Sequence, residues 1–129
     1  MPRVALAFFT VAPIYGLIGM IWGIVMGATE DHALSPAHAH LNLLGMVLAG
    51  IMGAFYALAG ERASGKLAWA NFGLSNLGVI IMIPTLVIIL GGDLSVIPII
   101  TVGEACAVLG LLTFFISVLR LWRAPRPAA

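Results

Sequence analysis

Two histidines, His38 and His40, stand two residues apart in an otherwise apolar stretch, with Asn42 just beyond them. On a helix, residues two apart point about 200° away from each other. The pair therefore cannot easily chelate one metal, as histidines at i, i+3 or i, i+4 do. Each ring suits a separate partner instead: two planar cofactors, or two neighbouring helices. Neutral imidazole is an axial ligand for haem iron. A haem b is apolar on its faces and carries propionates that prefer a wet interface, so a ligand one or two turns below a membrane surface fits it. Asn42 lies four residues from His38 on the same helical face, where it can orient that ring. Glu104 is the remaining candidate. It could accept a hydrogen bond from a ligand imidazole and raise its basicity, or it could carry a proton, held neutral by burial. The plain alternative is that the histidines lie at a membrane interface and bond to water or headgroups.

The elements that must hold these residues follow from composition. The chain has 129 residues, 62% hydrophobic and 9% charged, against about 45–50% and about 25% in soluble domains. A soluble fold of this size has too little interior for so much apolar surface, so lipid must act as solvent. The length allows one domain, 1–129. The net charge of +1 gives no sign of a nucleic-acid partner, and the single Cys106 excludes both an intrachain disulfide and a thiolate metal site. Four stretches reach the roughly 20 apolar residues needed to cross a bilayer: 5–27, 36–60, 67–90 and 96–121. The first is too long for a signal peptide. Short linkers predict an all-α, antiparallel, up-down bundle of four transmembrane helices.

All six basic residues fall on one side of that arrangement: Arg3, then Arg62 and Lys66, then Arg120, Arg123 and Arg126. The other side carries Glu30, Asp31 and Asp93. The positive-inside rule puts both termini in the cytoplasm of a bacterial-type inner membrane. His40 then lies about 6 Å beyond Pro36 and Glu104 about 10 Å beyond Pro98 or its neighbours, so the candidate site belongs to the outer half. Asn71, Ser75 and Asn76 lie towards the opposite end, as expected of interhelical hydrogen bonds. Small residues recur as Gly19, Gly23 and Gly27, as Gly45, Ala49, Gly53 and Ala57, and as Gly103 and Ala107. Such stripes let helices pack closely, and could also make room for a flat cofactor or a neighbouring subunit. Tyr15, Trp22 and Tyr56 could stack on a porphyrin, and Met20, Met26 and Met46 could act as soft ligands; packing is the simpler role for all of them.

The segment His38-Ala39-His40-Leu41-Asn42-Leu43-Leu44-Gly45 resembles a histidine-bearing helix of the haem–copper oxidase catalytic subunit and of small subunit-I-like membrane proteins. In that family one helix carries a His-x-His pair near the outer side, each histidine ligating a different haem. The resemblance implies that His38 and His40 are both haem ligands. Outside this segment it extends only to the general four-helix pattern. The family's catalytic subunit is similar to three four-helix units about a pseudo-threefold axis, and this chain looks like one such unit. It departs from the family in having no adjacent histidine pair and only His32 to spare, so one chain cannot build the copper–haem centre that reduces oxygen. The resemblance suggests a homotrimer in which His38 of one subunit and His40 of its neighbour clamp a haem. Such a protein would transfer electrons or bind a diatomic gas such as O2 or NO. Alternatives are a copper-handling protein using His32, His38, His40 and the acidic cluster, or a non-catalytic assembly subunit.

Overall fold

The computed structural model describes residues 1–124; the basic residue Arg126 and the rest of the proline-rich tail lie outside the described residues. Four helical spans follow one another: α1 (Arg3–Thr29), α2 (Ser35–Arg62), α3 (Lys66–Leu90) and α4 (Leu94–Arg123). Each is long and apolar enough to cross a membrane, consistent with an integral membrane protein. No strand occurs among the described residues. The ends of the spans are marked chemically. Glu30 closes α1 in the left-handed region, at φ 56°. Pro36 sits in the first turn of α2, where its missing N–H costs nothing. Gly60 and Gly65 take φ of 63° and 140° in the α2–α3 turn, backbone that side chains rarely adopt. The carboxylate of Asp93 accepts from the Ser95 N–H at 2.9 Å and starts α4.

The second span is not uniform. It is α-helical over Ser35–His40, a π-helix over Leu41–Leu48, α-helical again over Ala49–Ala59, and ends in a 3-10 turn over Gly60–Arg62. Runs of π-helix are rare and tend to occur at functional sites. Here the widened stretch begins directly after His40 and contains Asn42.

Two helix pairs make the molecule. Between α1 and α2, Gly16 receives the Met46 side chain, Gly19 the Asn42 amide and Gly23 the His38 ring, while Gly45 and Gly53 receive Tyr15 and Phe8. Gly27, counted with this stripe from its spacing, faces nothing within 4 Å; Gly16 takes its place, because α2 starts too late along α1 to cover the last turn. Between α3 and α4, Gly78 faces the Ala107 backbone, Gly103 faces Met82, and Gly110 faces Ser75. These approaches leave no room for a Cβ, which is how helices gain contact where lipid offers no hydrophobic drive.

The pairs meet through side chains at the end that carries Arg62 and Lys66, here the basic end. Phe55 and Phe114 meet edge to face with centroids 5.1 Å apart, and the buried Tyr56 hydroxyl donates to Ser117 Oγ at 3.2 Å. Further along, Asn71 Nδ2 donates to the Gly110 carbonyl at 2.7 Å, and the Tyr15 hydroxyl donates to Asn76 Oδ1 at 3.0 Å. A second apolar cluster, Leu41, Val79, Met82, Ile83 and Ile100, fills the other half.

Candidate functional site

Away from the basic end, α2 and α4 part. A groove of about 330 Å³ runs between them with α3 as its floor. Leu44 and Leu48 form one wall, Val108 and Leu111 the other, and Val79 and Met82 the base. The polar groups on this apolar surface are His40, Glu104 and Ser75. Two of the four candidates thus share one site, on facing spans.

His40 is held by its own helix. Its Nδ1 lies 2.7 Å from the carbonyl oxygen of Pro36, one turn earlier. A carbonyl can only accept, so Nδ1 carries the hydrogen. A neutral ring then leaves Nε2 as its basic nitrogen. Backbone fixation of one imidazole nitrogen is how the other is prepared as a metal ligand. His40 and Glu104 are both exposed on the chain itself. No hydrogen bond joins Glu104 to either histidine among the described residues. The role expected of Glu104 as a partner of a ligand imidazole is therefore not formed within one chain.

His38 lies on the opposite flank, half-buried between α1 and α2. A Cβ on Gly23 would stand 3.1 Å from its Cε1. Trp22 meets the ring edge-on, with centroids 6.3 Å apart. Asn42 Nδ2 donates to the His38 carbonyl at 2.9 Å and lies 3.4 and 3.3 Å from Nδ1 and Nε2. The lone-pair directions of these nitrogens diverge, so a donor equally near both sits over the ring rather than on either. Asn42 steadies His38 by contact and by tying its backbone, without committing one ring nitrogen.

The other candidates are scattered. Tyr56 is wholly buried in the aromatic cluster of the basic end, and cannot stack on anything in the groove. Tyr15 is engaged with Asn76. Met46 packs on Gly16, Met26 is buried, and Met20 is exposed on α1. His32 is exposed in the α1–α2 loop. Among the described residues, no three of His, Cys, Asp and Glu converge as a metal site, so a copper centre of that kind would need groups from a second copy. Two features of the site escaped the sequence reading. One is the aliphatic lining of the groove, which looks like any span. The other is the Pro36 carbonyl, which was legible: a histidine four residues after an N-terminal proline is within reach of that oxygen.

Comparison with protein families, with curated proteins and with solved structures found no match.

Proposed function

We propose that this chain is a haem b protein of the membrane, similar to one four-helix unit of the haem–copper oxidases, with His40 as an axial ligand. The observation that carries the reading is the His40 ring itself: Nδ1 is bound to Pro36, and the ring lines an apolar groove on the facing side of which stands Glu104. The donor set fits a haem in part. One imidazole nitrogen is available, and the aliphatic walls suit a macrocycle. No lysine or arginine lies at this end of the spans, so propionates there would rely on water. When bound, haem would supply one-electron transfer or gas binding. The protein's part is to orient the ligand ring and keep water from the groove.

In this reading the spans run antiparallel with both termini in the cytoplasm of a bacterial-type inner membrane, and the groove lies in the outer half. The groove is open along one side, and a homotrimer would cover it. His38 of a neighbouring subunit could then serve as the second axial ligand, given a rotation of its ring away from Gly23. Bis-histidine iron suits electron transfer, and iron with one histidine suits binding of O2 or NO.

The test is an optical spectrum of the purified protein in detergent, oxidised and reduced, with and without carbon monoxide. Haem bands are expected in the wild type and lost in His40→Ala. His38→Ala should keep a haem and gain a carbon monoxide shift. A colourless wild type, produced with ample haem, would sink the proposal.

A further inference from the structure

A second pocket lies at the other end of the molecule. It encloses about 190 Å³ and is bounded by the α2–α3 turn and the last turns of α4. Three of its lining residues are cations: Arg62, Lys66 and Arg120. Neither Lys66 nor Arg120 is paired with a carboxylate among the described residues. Ala63, Ser64, Gly65, Leu67 and Ser117 complete its lining. The Ser117 hydroxyl is already committed, accepting from Tyr56 and donating to the Thr113 carbonyl at 3.0 Å. The hydrogen-bonding capacity left for a ligand is therefore cationic, with the Ser64 hydroxyl beside it. The backbone adds to this. The 25-residue helix Lys66–Leu90 starts at the pocket, its cap position is Gly65, and no side chain caps it. Its first N–H groups have no partners within the helix and carry the positive end of its dipole.

Charge, size and depth agree on the ligand class. Lys66 and Arg120 beside the further positive charge of Arg62, together with a helix start, select a compact oxyanion with several acceptor oxygens. Trp69, one turn into α3, and Trp122, at the end of α4, are exposed at the same level, as interfacial tryptophans are. The pocket thus sits at headgroup depth, and basic pockets between spans bind anionic headgroups there. We infer that the Arg62–Lys66–Arg120 pocket is a binding site for a phosphate group, borne by an anionic phospholipid or present as free phosphate.

The experiment uses the full chain in nanodiscs of phosphatidylcholine containing a minor share of phosphatidylglycerol. Lipid retained on the released protein is read by native mass spectrometry. Wild type should retain phosphatidylglycerol over phosphatidylcholine. That preference should fall about tenfold in Lys66→Gln/Arg120→Gln, through loss of charge-assisted contacts, and survive in Lys66→Arg/Arg120→Lys. Arg3→Gln/Arg123→Gln removes the same charge from the same end but outside the pocket, and should keep the preference. Equal loss in this control would overturn the site in favour of diffuse surface attraction. Helicity and thermal midpoint of each variant guard against misfolding, and the charge-conserving pair keeps the test decisive if the glutamine pair fails to fold. A second arm titrates inorganic phosphate into phosphatidylcholine nanodiscs and follows 31P line width. Phosphate broadening that depends on Lys66 and Arg120, without lipid preference, assigns the pocket to free phosphate. Absence of both effects in wild type overturns the inference.

Discussion

Asn71 is wholly buried, and its two ends fare differently. Nδ2 donates to the Gly110 carbonyl at 2.7 Å and to Ser75 Oγ at 3.2 Å, while Oδ1 has no partner. The Gly110 carbonyl also accepts from Thr113 Oγ1 at 2.7 Å, so removing the amide does not orphan it. Asn71→Ala should therefore cost about 1–2 kcal/mol, chiefly from the cavity and one interhelical bond. Asn71→Leu should cost less, because it fills the space and removes the unsatisfied acceptor. Unfolding in mixed micelles would rank the two, and an Asn71→Leu variant worse than Asn71→Ala would refute this account. Asp93 gives a prediction of another kind. Hydrogen bonds from the Ser95 side chain and backbone N–H hold its carboxyl below the usual carboxylate range. A lowered folded pKa means that its stabilising contribution is full above the unfolded value and is lost as pH falls through the folded one. Asp93→Ala should thus melt below wild type at neutral pH and converge with it in acid. Asp93→Asn, still able to cap, should show little pH-dependent difference from Asp93→Ala.

At the scale of elements, the glycine stripes divide by what faces them. A Cβ on Gly78 would lie 2.8 Å from the Ala107 backbone nitrogen and 3.0 Å from its Cα. Backbone cannot swing aside, so Gly78→Ala should push α3 and α4 apart, at a cost of about 1–3 kcal/mol. Gly19→Ala would meet the end of the Asn42 side chain, which can turn away, so the loss should be smaller. Gly27→Ala meets nothing and should be neutral or slightly stabilising, since alanine is the better helix former. Thermal melts of the three variants would test this order, and equal losses would contradict it. Gly19, Gly23, Gly45, Gly53 and Gly103 were legible from their spacing, and the spans as runs of apolar residues, because both depend on composition along a single helix; Gly78 on α3 belongs to no such repeat, and Gly27 fits the repeat but faces nothing. The divergence of His38 and His40 was legible for the same reason: both lie in the α-helical part of α2, where each residue turns by about 100°. The π-helical stretch after them was not. Leu41–Leu48 carries no side-chain mark of a wider turn; within it Asn42 and Met46 pack onto Gly19 and Gly16 of α1. Likewise, the rise per residue brought His40 and Glu104 to a similar depth, but their common groove depends on how α2 and α4 part. That depends on contacts between spans far apart in sequence, such as Phe55 and Tyr56 on Phe114 at the other end.

The whole molecule is polarised, and its two sites use opposite ends of that polarity. The groove with His40 and Glu104 shares its end with Glu30, Asp31 and Asp93, while the phosphate pocket gathers Arg62, Lys66 and Arg120 at the other. Such a distribution is what orients a membrane protein, because basic loops resist translocation. It also gives each site a leaflet: a lipid-phosphate pocket belongs on the anionic cytoplasmic leaflet, and the histidine groove then opens towards the outer face. Thiol labelling of intact cells decides this. In a Cys106→Ala background, which removes the one native thiol, Asp31→Cys reports on the α1–α2 loop and Glu61→Cys on the α2–α3 turn. A membrane-impermeant maleimide should modify the Asp31→Cys protein in intact cells and the Glu61→Cys protein only after permeabilisation. The reverse pattern would turn the molecule over. The haem reading could survive that result, since ligation by His40 does not depend on which leaflet it faces. The phosphate pocket would then face the outer leaflet, and its preference for phosphatidylglycerol in nanodiscs would still rest on the same cations.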